Sequence, residues 1–263
     1  MKYDDFEELI YADLSWRKKE ISELFLLTSD KKNDVLFKSI ILVLYAHWEG
    51  YIKRTSKLYI LYISKKKINI CDLTINFKAI SLKTDISSTI DGKEKLNLSK
   101  ELEFMIKYRN LHTKRFKVAI SMEDEFDADI INTHHNLSSK VFKNILNIMG
   151  IKYVDAFRSR EKYIDSSLLG NRNAIGHGNK FDKNKHDDFD LCIDNISELK
   201  AFIIQILDFY TNMLLDYIGQ EFYLEGKDSE KNIYDKEKNT EFEKILARIE
   251  EEHTEKQPQI ITA

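Results

Sequence analysis

Apolar residues recur at helical spacing through most of the chain. Between residues 4 and 27 the stripe is Phe6, Leu9, Ile10, Leu14, Ile21, Leu24 and Phe25, which predicts an amphipathic helix with Asp13 and Arg17 as an i,i+4 pair on its polar side. A polar break at Ser29-Asp30 leads to a more apolar helix, expected from about Asp34 to Ser64 on the stripe Leu36, Ile40, Val43, Leu44, Trp48, Ile52 and Tyr59. The lysines Lys65 to Lys67 suit its C-terminal end, where positive charge meets the negative pole of the helix dipole. The pattern is cleanest between about Asp194 and Tyr217, where Leu199, Phe202, Ile203, Ile206, Tyr210, Met213, Leu214 and Tyr217 share one face.

Two further helices are shorter. SSKVFKNILNIMG is opened by Asn136 to Ser139, which can cap free backbone N–H groups, and closed by Gly150. Residues 155 to 176 form the other. Residues 68 to 125 read differently. INICDLTINF and RFKVAISM alternate β-branched and aromatic residues, which points to short strands, while KEKLNLSKELEFMIKYRN carries a helical pattern. This region is expected to be a small mixed insert in an otherwise all-α bundle. After Phe222 the composition turns charged, so residues 1–222 are read as the domain and 223–263 as a flexible tail with EFEKILARIEEE as an exposed helix.

Composition narrows the classes. One proline and eight glycines in 263 residues favour long helices. Charged residues make up 32% but nearly cancel to a net charge of -3, which argues against a generally basic nucleic-acid binder and leaves room for a local basic patch. Cys71 and Cys192 stand far apart and outside any C-x-x-C pair, as expected of reduced thiols in a cytoplasmic protein. The acidic N-terminus MKYDDFEEL has no apolar core of a signal peptide, SIILVLYAHW is too short to span a bilayer, and the run from Leu199 to Ile218 is interrupted by polar residues. Walker, G-x-G-x-x-G and G-x-S-x-G motifs are absent.

The stretch SSLLGNRNAIGHGNKF holds the candidate chemistry. If the helix runs to Ile175 or Gly176, Asn173 and His177 lie i,i+4 on one face and Arg172 on the next. Histidine titrates near neutrality and can act as acid or base. Arginine stays charged and forks onto two phosphate oxygens. Gly176 and Gly178 permit a tight exit and keep bulk away from the imidazole. On spacing alone a plain helix ending fits as well, because positive groups and glycine both favour a C-terminus.

LLGNRNAIGHG resembles the R-N-x-x-x-H signature of the HEPN superfamily of metal-independent ribonucleases. LYAHWEGYIK, preceded by DLSWRKKE and followed by NLSSKVFKNILNIMGI, resembles the order of helices in the MAE-type HEPN-like branch, over about residues 1 to 220. The resemblance implies an all-α HEPN-type bundle, a homodimer with facing motifs, and an endoribonuclease of toxin–antitoxin or antiphage type that needs no cofactor. Arg172 and His177 would be its catalytic pair and Asn173 the polar neighbour. Attack by the 2′-OH would leave a cyclic 2′,3′-phosphate and a 5′-hydroxyl. Many members carry alanine where this chain has Gly176. A non-catalytic HEPN-like subunit that binds RNA or a partner protein, such as an antitoxin, is the alternative.

Glu49 in HWEG is a candidate accessory residue that reaches Arg172 or His177, or else simply pairs with Lys53. His47 and Trp48 read as packing residues and Gly50 as a close helix contact. Lys107, Arg109, Lys114 and Arg115, with Tyr108 and Phe116 interleaved, would track an RNA backbone or guard a strand edge. His134-His135 near Asp127 and Asp129 lack a third ligand at a recognisable spacing, so no metal site is assigned.

Overall fold

Two long helices set the frame. In the computed structural model, which describes residues 1–28, 33–90, 98–122, 130–178 and 191–254, α1 (Tyr3–Thr28) lies against α2 (Asp34–Lys66). Asn33 opens α2 by accepting the Val35 N–H at 2.9 Å, and Lys67 closes it in the left-handed conformation. No proline interrupts its 33 residues. Through its middle the apolar positions crowd on several sides, and Ile40, Ile41, Leu44, Trp48, Tyr51 and Ile52 are all buried. By length and hydropathy α2 would pass for a bilayer-crossing helix. Half of its most apolar window is buried against protein, as in a core helix.

The stretch expected to hold strands is helical. It contains α3 (Ile75–Ile90), α4 (Ser99–Arg109) and two single 3-10 turns at Ile70–Asp72 and Asn110–Thr113. Among the described residues there is no strand, only isolated bridges between Asn69 and Arg115 and between Leu73 and Leu224. The alternation in INICDLTINF and RFKVAISM encodes a 3-10 turn and short extended segments whose inward residues, Ile70, Leu73 and Phe116, plug the core beside α2. Paired at one bridge each, they never build a ladder.

Helix α5 (Ser139–Met149) is capped by the Ser138 hydroxyl, which accepts the Val141 N–H, and ended by Gly150 at a φ of +73°. The short α6 (Asp155–Arg158) and α7 (Glu161–Tyr163) lead into a π-helical stretch, Ile164–Gly170, and then into α8 (Asn171–Gly176). Helix α9 (Ile193–Gly219) completes the bundle against α1 and α2. Tyr51 and Thr211 share a buried hydrogen bond of 2.5 Å, and Ser56 and Tyr210 another of 2.8 Å, so the α2–α9 seam has polar pegs as well as apolar area.

The expected flexible tail is instead a 27-residue helix, α10 (Asp228–Thr254), docked on α9 and α6. Its apolar residues are few but well placed. Phe242 stacks on Phe209 at 3.9 Å and meets Phe157 edge-on, and Leu246 is fully buried. Arg160, itself buried, clamps Glu243 at 2.7 Å and Glu250 at 2.8 Å. Tyr217 donates to the buried Asp235 at 2.6 Å. Mean polarity concealed a narrow, high-value contact strip.

Phe242→Ala is therefore expected to cost about 3–5 kcal/mol, the usual loss for a large aromatic removed from a packed core. Denaturant unfolding would show it as a lower midpoint at unchanged slope. An unchanged midpoint would mean α10 is not part of the folded core.

Candidate active site

From Glu161 to Gly176 the chain is one continuous helical run whose middle is widened into π geometry. Ser167, Leu168 and Leu169 of the wide turn are buried, and Asp165 accepts the Ser139 N–H at 2.8 Å, tying the run to the start of α5. A π turn carries an extra residue per turn and recurs at functional sites. It delivers α8 onto α2, where the motif sits.

Arg172 is held from two directions. Its guanidinium carbon lies 4.5 Å from the centre of the Tyr45 ring, within cation–π range, and its Nη1 donates to Asn173 Oδ1 at 2.7 Å. Tyr45 is fixed in turn, because its hydroxyl accepts the Leu137 N–H at 2.7 Å. Burial, chiefly, and the Glu49 carboxylate next push the Tyr45 pKa up to about 12, partly offset by the Leu137 hydrogen bond and Arg172. The ring thus stays neutral at any working pH. The Asn173 amide points its nitrogen at Asn136 Oδ1, 3.5 Å away. Asn173 therefore positions the arginine, not the imidazole that an i,i+4 spacing put beside it.

Glu49 stands one turn beyond Tyr45 and interacts with its hydroxyl. Glu49 Oε1 and, next to Arg172, Asn171 Oδ1 are buried without a hydrogen-bond partner among the described residues. Buried unpaired acceptors are uncommon; Asn171 lies on the helix that carries the motif and Glu49 on α2, against which that helix packs. Tyr45, Asn136 and Asn171 were not picked out from the sequence as site residues. Tyr45 had a signal, since it lies i,i+4 to Glu49. By type Asn136 suits a helix cap, a role the structure gives to Ser138.

His177 caps the run. Its N–H donates to Asn173 O at 3.0 Å, its side chain is exposed, and no described residue hydrogen-bonds the ring. Gly178 takes the left-handed exit at a φ of +69°, whereas Gly176 is helical and a methyl there would meet nothing within 4 Å. Alanine at that position would fit without strain. A semi-buried guanidinium and an exposed imidazole are thus presented at the end of one helix.

A family model, that of the MAE_28990-like HEPN domain, matches residues 6–223. The chain belongs to the HEPN family. Neither a curated protein nor a solved structure matches it. Membership supports a nuclease or a related role at the level of the superfamily, in which some members are non-catalytic.

The other candidates of this HEPN chain fall elsewhere. Lys107 on α4 is paired with Asp85 at 2.6 Å and Glu103 at 3.2 Å. Phe116 is fully buried against Phe77 and offers no stacking surface, while Arg109, Lys114 and Arg115 are exposed around the second 3-10 turn. Helix α8 packs on α2 and the π stretch, so the motif and this basic segment sit on different elements. His134 and His135 both adopt left-handed backbone, at φ of 53° and 54°. Asp127 and Asp129 lie outside the described residues, and among those described no three His, Cys, Asp or Glu side chains gather as metal ligands.

Behind the motif, α1 and α2 share a buried polar cluster. Arg17 donates to Asp13 at 3.1 Å, and its Nη1 lies 3.3 Å from His47 Nδ1. His47 Nε2 is 2.9 Å from Glu20 but not aligned for a hydrogen bond, and Trp16 meets the ring edge-on. A methyl on Gly50 would sit 3.0 Å from Arg17 Nη1, so the glycine is a close helix contact as expected. Trp48 packs on Phe142, also as expected. His47 does more than pack, because it borders the Arg17 guanidinium.

Burial first, and the Arg17 charge second, hold the His47 pKa below its ordinary value, against the opposing pull of Glu20 and Asp13. The depressed group contributes stability that is complete above about pH 6.5, where a free imidazole loses its proton, and is lost as pH falls through the folded-state value. His47→Gln should flatten the fall in unfolding free energy between about pH 7 and pH 5. Parallel slopes for the two proteins would show that His47 does not titrate against folding.

Proposed function

We propose that this HEPN protein is a cytoplasmic, metal-independent endoribonuclease that works as a homodimer with the two motifs facing each other. The observation that carries the reading is the immobilised arginine. Arg172 lies on Tyr45, is bonded by Asn173, and shares a helix end with an exposed histidine. Fixed positive charge beside an imidazole that can give or take a proton is what a crowded phosphate needs when a 2′-OH attacks it.

Arg172 would bind the scissile phosphate and His177 would move the protons. A single chain supplies one imidazole for two transfers, to the leaving 5′-oxygen and from the 2′-OH. A second copy would supply the other. Glu49, interacting with Tyr45, would help to hold the arginine's platform. A toxin or antiphage effector restrained by a partner protein fits such an activity, since a constitutive ribonuclease harms its host. The rival reading is a HEPN subunit that binds RNA or a partner without turnover.

RNA cleavage in the presence of EDTA tests the choice. Wild type should cut and leave cyclic 2′,3′-phosphate ends. His177→Ala should lose about 10²–10⁴-fold in rate with the fold and dimer intact. Arg172→Lys should be nearly as impaired, because a point charge does not replace a planar fork on two oxygens. A well-folded dimer that binds RNA without cutting any class of it would favour the binding subunit, and equal cutting by wild type and His177→Ala would remove the motif from the chemistry.

A further inference from the structure

Two proton transfers call for two groups, and the motif carries a single imidazole. A facing copy is one source of the second. The turn that leads into α5 is another, and it lies beside the motif in the same chain. Residues 133–136 form that turn, closed by the Asn136 N–H donating to the Thr133 carbonyl at 3.0 Å. Its central residues are His134 and His135, both left-handed at φ of 53° and 54°. Tight turns with two positive φ angles ordinarily use Asn, Asp and Gly, which take that backbone with least strain. Here two imidazoles occupy those positions. Strain of that kind persists only where its surroundings enforce it, and it collects at functional segments.

The surroundings do enforce it. On the entering side Asn132 Oδ1 accepts the His134 N–H at 2.7 Å. On the leaving side the backbone of Leu137 is tied to α2 twice. Its N–H donates to the Tyr45 hydroxyl at 2.7 Å, and its carbonyl accepts from Trp48 Nε1 at 3.3 Å. Tyr45 is the ring on which Arg172 lies. Between them Asn136 sets its Oδ1 3.5 Å from the Asn173 amide nitrogen. The turn is thus fastened to the two residues that hold the arginine, Tyr45 and Asn173. His135 directly precedes Asn136, with about 3.8 Å between their Cα atoms. The two histidines differ in surroundings. His134 lines an aliphatic cleft between α3 and α5, whereas His135 lies outside that lining. His135 is exposed, and no described residue hydrogen-bonds its ring.

We propose that His135 is a further catalytic residue, the second imidazole beside Arg172, and that it divides the two proton transfers with His177 of the same chain. Its role rests on the ribonuclease reading of the motif, and only the source of the second imidazole differs. Arg172 holds the phosphate. One imidazole, neutral, takes the proton of the 2′-OH as the bond from that oxygen to phosphorus forms. The other, protonated, gives its proton to the 5′-oxygen as the bond from phosphorus to that oxygen breaks. The pair ends with its charge exchanged, and solvent resets it.

Cleavage in EDTA by His135→Asn, His134→Asn and His177→Ala tests the assignment, with circular dichroism as the check on each fold. Asparagine tolerates left-handed backbone and moves no proton, so it keeps the turn and removes the imidazole. Each protein is assayed on ordinary RNA and on a strand whose scissile 5′-oxygen is replaced by sulfur, which leaves as a thiolate without a proton donor. His135→Asn should lose about 10²–10⁴-fold on ordinary RNA while His134→Asn keeps the wild-type rate. Sulfur should restore most of the loss in either His135→Asn or His177→Ala, not both, and so identify the acid. A purely structural role would give no such selective rescue, and rescue of neither variant would overturn the proposal. A wild-type rate in His135→Asn would also overturn it and leave the ribonuclease reading standing. Mixed dimers of His135→Asn with His177→Ala hold no chain with both histidines and should stay inactive. Recovery there would move His135 to the facing motif and overturn the same-chain pairing. A well-folded wild type that cuts no RNA would bring down both readings together.

Discussion

The placement of α2 constrains the rest. A helix so apolar through its middle must be covered on several sides at once, and α1, α5 and α9 do this. The strip that remains carries Tyr45 and Glu49, and α8 docks there with Arg172 laid over the tyrosine ring. A guanidinium on an aromatic face keeps its edges available for hydrogen bonding while its plane is fixed. One burial requirement therefore both builds the core and aims the arginine. On its other flank α2 holds His47 against the buried Arg17, which Asp13 pairs, so the same helix meets a half-buried guanidinium on one side and a buried one on the other.

The long helices were legible because their signal is periodicity sustained over several turns. α1, α2 and α9 each fall within a few residues of their expected bounds. Local punctuation served as well: Ser138 and Gly150 bracket α5 as their chemistry demands. The two failures share a cause. In residues 68–125, alternation over a few residues suggests strands but marks extended plugs such as Phe116. In α10, the mean charge suggests a flexible tail, yet a handful of residues, Phe242 and Leu246 above all, have partners on other elements. Short patterns and averages carry no information about what a segment meets in three dimensions.

The site divides in the same way. Arg172, Asn173 and His177 were visible as residue types at a spacing, and the helix that presents them ends where the glycines indicate. What holds them was not visible. Asn173 turns to the arginine beside it, and Asn136 joins from another element.

The wide turn at Ile164–Gly170 has a consequence for how such a chain can vary. Each residue of an α-helix advances about 100° around its axis. A π turn is in effect one residue spliced into that rotation. Tightening the run to ordinary pitch at constant length would swing everything after it by about that angle relative to everything before. Arg172 would then leave the tyrosine, while the hydrophobic residues upstream stayed seated. The spliced residue works as an azimuthal setting: pitch in this segment is coupled to the bearing of the motif, whereas losing one residue together with the return to α pitch would leave that bearing nearly unchanged.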